Sequence, residues 1–146
     1  MKLSVPSALS LLIIAQIVVS QSVEIGAPAN HTSVRAGSYL VVEVDRPDTL
    51  TPSIEVAVAI GVASCSQGLC SLPSNEPVLG TTLYNGPYHP EFNPEYDGKP
   101  PHQNFSVVIP ETFPKGPARL VLLHVALVGA ENEILTQLRN VTLQVL

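Results

Sequence analysis

Apolar side chains in this chain recur mostly at every second position, and no long stretch carries the spacing of a helical stripe. Val23 and Ile25 open a short strand. Leu40, Val42 and Val44 alternate with Val41, Glu43 and Asp45 behind an Ala36-Gly37 turn. Ile54, Val56, Val58, Ile60 and Val62 alternate with Glu55, Ala57, Ala59, Gly61 and Ala63, so a face of large side chains backs onto a face of small ones. Val78 to Tyr84 makes a fourth segment, ended by Asn85-Gly86-Pro87, and Phe105, Val107 and Ile109 a fifth, stopped by Pro110. Leu120 to Val128 is apolar on both faces, the pattern of a central strand, and Val141, Leu143 and Val145 close the series.

Strands this short, divided by Pro and Gly, predict an all-β chain: a seven-stranded antiparallel β-sandwich, immunoglobulin/fibronectin-III-like, with a small barrel as the alternative. The chain has no Trp, so the Cys…Trp…Cys spacing of an antibody domain is missing and the expectation concerns architecture alone. Asn104 and Asn140 fall on the polar side of their strands, opposite Phe105/Val107 and Val141/Leu143. Both begin Asn-x-Ser/Thr sequons, and a glycan cannot enter a core, so register and sequons agree.

The amino terminus follows other rules. Lys2 precedes an apolar run from Ala8 to Val19, and Val18 and Ser20 suit the −3 and −1 positions of a signal-peptidase site. Residues 1–20 therefore read as a signal peptide, and 21–146 as a single β-sandwich domain. Loss of Lys2 with the leader takes the formal net charge from −5 to −6. No later segment is long and apolar enough for an anchor, and the alternating C-terminus is no lipid-anchor tail. The expected product is secreted and extracellular. Its N-glycosylation sites would be Asn30, Asn104 and Asn140.

Composition narrows the function classes. An acidic chain without a basic run is a poor match for nucleic acid or an anionic membrane surface. At 45% apolar and 13% charged residues it is built for a core rather than for disorder. Cys65 and Cys70 are the only cysteines, and in a secreted chain they read as a disulfide closing a small loop. His31, His89, His102 and His124 form no local ligand pair, and His124 on its apolar strand reads as a hydrogen-bonded core residue. No nucleophile elbow is present, and Glu91, Glu95 and Asp97 read as solvated loop acids. No catalytic, metal or cofactor set is expected, and the chain is read as a non-enzyme and a monomer.

Tyr84 to His102 is the most distinctive stretch. It holds Tyr84, Tyr88, Phe92 and Tyr96, with prolines that forbid the helix their four-residue spacing suggests. A long loop inside a compact domain is a natural contact surface, so Tyr84, Tyr88, His89, Phe92 and Tyr96 form the candidate partner-binding loop. The competing expectation is that these aromatics fold back and plug one end of the sandwich.

Several segments also resemble a known family. They are Ala36-Gly37-Ser38-Tyr39-Leu40-Val41-Val42-Glu43-Val44, Glu55 to Gly61, the Cys65/Cys70 loop and Leu79-Gly80-Thr81-Thr82-Leu83-Tyr84-Asn85-Gly86-Pro87. Gln103 to Val107, Phe113 to Ala118, His124 to Gly129 and Asn140-Val141-Thr142-Leu143 complete the set. Together they resemble the necrosis-inducing secreted effectors of fungi. The resemblance implies a virulence effector that binds and inhibits plant immune receptor-associated kinases, suppressing pattern-triggered immunity after translocation into the host cytoplasm. A non-catalytic polysaccharide-binding sandwich of the cell wall is the alternative, favoured by exposed aromatics and disfavoured by the lack of Trp.

Overall fold

The computed structural model describes residues 22–66, 68–71, 77–95 and 97–146. The expected leader and Tyr96 lie outside the described residues. The chain is all-β: β1 (Glu24–Ala27), β2 (Thr32–Val34), β3 (Tyr39–Asp45), β4 (Ser53–Ser64), β5 (Thr81–Gly86), β6 (His102–Val108), β7 (Gly116–Val128) and β8 (Glu133–Val145). A three-stranded sheet runs β1-β3-β6, and a five-stranded sheet runs β2-β8-β7-β4-β5. The only helical element among the described residues is the 3-10 turn Leu69–Ser71.

Eight strands replace the expected seven. β1 stops before Pro28, which has no N–H to give a ladder. The chain then crosses to the other sheet, where β2 pairs with β8 in parallel, Val34 against Val145. With three residues, β2 is too short to display alternation. β8 is also longer than its apolar tail, because Glu133, Thr136, Gln137 and Arg139 pair with β7 despite their polarity.

Inward side chains of the two sheets meet in one core. Val42, Val44, Phe105 and Val107 come from the small sheet, and Val58, Ile60, Val62, Leu120, Leu122 and Leu143 from the large one. Apart from Arg119 and His124, β7 carries apolar side chains on both faces because it is the middle strand of the large sheet, flanked by β4 and β8.

β4 departs from strict alternation. Glu55 faces Ala126 and Ala57 faces Val125, so Val56 is an extra residue in the ladder. A bulge of this kind reverses which parity points inward. Val58, Ile60 and Val62 are buried as expected, whereas Ile54 and Val56 turn out to solvent. Glu55, placed by sequence with the alanines, turns in. Where β5 meets β4, Gly80 adopts a left-handed φ of 73°. A Cβ there would collide with the carbonyl of Val62, so only glycine lets the chain approach this closely.

Candidate functional site

The bulge at Val56 brings Glu55 beneath His124 of β7, whose position faces Val58 in the ladder. His124 is 1% exposed. Its Nε2 hydrogen-bonds Glu55 Oε2 at 2.5 Å. Its Nδ1 lies 3.2 Å from Gln137 Oε1, the same oxygen that accepts the N–H of Val23 at 3.1 Å. Glu55 Oε1 accepts from Arg46 Nε at 2.5 Å and from Ser53 Oγ at 3.0 Å. Arg46 Nη2 also donates to Ser53 Oγ. Burial pushes the Glu55 carboxyl up, but hydrogen bonds from His124 and Arg46 outweigh it and hold the group below its ordinary range.

Tyr88 closes this cluster. It is 0% exposed. Its ring meets His124 edge-on at 5.7 Å and 81°, and its hydroxyl donates to the Val44 carbonyl at 3.1 Å. Burial pushes the Tyr88 phenol well above its usual value. The backbone N–H of Arg46 donates to the Pro101 carbonyl at 2.8 Å, tying the end of the loop to the same place. A shallow cleft of about 540 Å³, with Arg46, Ser53, Glu55, His89 and Glu91 in its wall, lies above the cluster. Every member of the set meets a partner inside it, so its evident chemistry is to pin β4, β7 and the loop together. Ser53 faces the carboxylate rather than the imidazole.

The loop therefore splits. Tyr84 packs on Phe105 at 4.6 Å and donates its hydroxyl to the Pro87 carbonyl at 2.8 Å. Tyr84 and Tyr88 fold back into the end of the sandwich, which takes Tyr88 out of any contact surface. Phe92 is 55% exposed, His89 is exposed, and both line a second open cleft with Glu91 and His102. Tyr96 lies outside the described residues.

Two surface features escaped the sequence reading. Ile54, Leu127 and Ile134 share one row on the outer face of the five-stranded sheet, with Ile54 and Ile134 exposed. The bulge that put Ile54 there leaves no local mark in the sequence. On the three-stranded sheet, Tyr39 pairs with Val108 on the outer face, beside Val41. Here the alternation did carry the signal, because Tyr39 and Val41 share the parity of Glu43.

The remaining sites are local. Cys65 and Cys70 are bonded, with Cα atoms 5.1 Å apart. Asn30 stands before β2 and Asn104 on β6, both exposed, while Asn140 on β8 is half-buried. Among the described residues no group of three or more His, Cys, Asp or Glu side chains is placed to hold a metal ion, and no helix is long and apolar enough to cross a membrane.

The class defined by this arrangement is a small, disulfide-containing two-sheet β protein, with an internal charge cluster and two exposed apolar strips. Its sequence matches the model of the Nis1 family over residues 19–144. The chain belongs to the Nis1 family, the necrosis-inducing effector type its segments resemble. None of the curated proteins matches it in sequence. Among solved structures, a superoxide reductase (neelaredoxin) from Ignicoccus hospitalis matches with a TM-score of 0.47 and 12% identity, over 86% of this chain and 83% of that one. Likeness at this level says nothing about the chemistry of the present chain.

Proposed function

We propose that the chain is a secreted, non-catalytic effector that acts by binding a host protein, with plant immune receptor-associated kinases as the partner class. Membership of the Nis1 family across residues 19–144 is the observation that carries this reading. The leader pattern of residues 1–20 supports secretion, and a product that binds kinases would afterwards enter the host cytoplasm. The closed set of partners around Glu55 supports a binding role over a catalytic one. The strand order, with the first segment shared between the two sheets, supports an immunoglobulin/fibronectin-III-like sandwich. Polysaccharide binding is the weaker reading, because Tyr84 and Tyr88 turn inward and Phe92 is the one exposed aromatic ring among the described residues of the loop.

Residues 21–146 would be tested in a pull-down against cytosolic domains of these kinases, beside Phe92→Ala and the Ile54→Ser/Ile134→Ser pair. Capture by wild type, lost in one variant, supports the reading and locates the contact. Retention on chitin or cellulose with no kinase captured would replace it by the polysaccharide reading.

A further inference from the structure

The outer face of the three-stranded sheet presents an arrangement that a soluble chain does not ordinarily leave bare. β3 and β6 pair Tyr39 with Val108, Val41 with Ser106, Glu43 with Asn104 and Asp45 with His102, all pointing away from the core. Successive rows are about 7 Å apart. Two rows are charged: Lys99 Nζ donates to both Glu43 oxygens at 2.8 Å, and Asp45 stands beyond it. The other two hold the apolar side chains, with Tyr39 77%, Val41 52% and Val108 42% exposed, and Ser106 beside Val41. Asn104 sits at the border, one row from Val41 and Ser106 and two, about 13 Å, from Tyr39 and Val108.

Asn104 is also the middle of three sequons that the fold treats differently. Asn30 already uses its side-chain oxygen to accept the N–H of Thr142 at 2.9 Å, and Asn140 is half-buried. Asn104 is exposed on a strand whose neighbour β3 lies on one side only, and Ser106, the hydroxyl of its sequon, is exposed on the same face. A sugar ring has one face of C–H groups and hydroxyls around its edge. Laid along the apolar rows it covers Val41 and the Tyr39 ring with that C–H face and keeps its hydroxyls in water. Laid the other way it meets Asp45 and the Lys99–Glu43 pair.

We propose that Asn104 carries an N-linked glycan whose inner sugars lie over Val41 toward Tyr39 and Val108, covering the apolar strip of this face. The inference rests on the secretory reading and goes beyond it, since it assigns the glycan a surface and a stabilising role. With the glycan seated, the strip is removed from water without a protein partner, and an otherwise sticky β3–β6 face is kept from association.

The full precursor is expressed in a secreting yeast, and Asn104 occupancy is read by peptide mass spectrometry. Wild type is then compared with Ser106→Ala, which keeps Asn104 but destroys its sequon, in the parent and in a Tyr39→Ser/Val41→Ser background. The parent should lose about 4 °C of Tm on Ser106→Ala and gain binding of an apolar dye. In the serine background the loss should fall below half. The same Ser106→Ala change in unglycosylated bacterial protein should leave Tm unmoved, showing that the serine itself does not matter.

Absence of secreted product would overturn the secretory reading and the inference with it. Secreted protein with Asn104 bare overturns the inference alone. It is equally overturned if the loss is as large in the serine background, or if it disappears in a Phe92→Ser background, which would place the sugars in the neighbouring cleft.

Discussion

Replacing Glu55 by Gln tests the charge cluster directly, because the amide keeps the shape and removes the charge. Glu55 accepts from His124, Arg46 and Ser53, and its side chain is 12% exposed against 18% for Arg46. Removing one partner of a fully buried pair costs about 3–5 kcal/mol. The partial exposure of Arg46 and the amide oxygen still offered to Ser53 place this case at the lower end, near ~3 kcal/mol. For a domain of this size that is a fall in Tm of about 12 °C. The folded carboxyl lies below its ordinary value of 4.5, so its contribution is complete above that pH and is lost as pH falls through the folded value. Thermal and urea unfolding, followed by circular dichroism, should show a constant gap between wild type and Glu55→Gln near neutrality that closes on acidification below 4.5. A gap under about 1 kcal/mol at pH 7, the worth of one ordinary hydrogen bond, would refute the cluster's stabilising role. A gap that persists in acid would show that the charge is not its source.

Tyr88→Phe removes only the bond to the Val44 carbonyl and should cost about 1 kcal/mol in urea unfolding. Tyr88→Ala opens a cavity worth about 3–5 kcal/mol, while Phe92→Ala stays within about 0.5 kcal/mol; equal costs at 88 and 92 would contradict the split of the loop. Gly80→Ala, left-handed and against the Val62 carbonyl, should lose at least ~2 kcal/mol, whereas Gly68→Ala, left-handed in open space, should lose about 1 kcal/mol. Similar losses at both glycines would mean the β4–β5 approach is not tight. Cys65→Ser/Cys70→Ser opens a small ring and should cost about 2 kcal/mol with the fold retained at 25 °C by circular dichroism; an unfolded spectrum would show that the sandwich depends on the bond.

Much of the architecture was legible because its signals are local. The alternation of Leu40, Val42 and Val44, the apolar run of β7 on either side of His124, and Pro87 and Pro110 as stops place four strands within a few residues of where they lie. β2 was not legible, since three residues carry no period, and its partner Val145 is 111 positions away from Val34. The first half of β8 was missed for the opposite reason. Its polar residues lie over the flank of the large sheet, where hydrogen bonds to β7 rather than burial decide the conformation.

The charge cluster was hidden by a single residue. Strict alternation puts Glu55 outside with Ala57 and Ala59, and nothing in Ile54-Glu55-Val56-Ala57 announces that Val56 is the extra one. A carboxylate turned into a β core is strongly unfavourable unless it is met by donors. The donors here come from His124, 69 residues on, and from Arg46, in the connection between β3 and β4. The bulge is thus stable only in the folded sandwich, where β7 and that connection deliver both partners to one carboxylate. The same arrangement fixes the loop, because Tyr88 stands edge-on to His124 and Arg46 holds the Pro101 carbonyl. An exposed Phe92 between those two anchors is therefore presented by a scaffold whose geometry begins at Val56. Tyr84 and Tyr88, two of the five residues of the candidate partner-binding loop, are what anchor the segment that exposes Phe92.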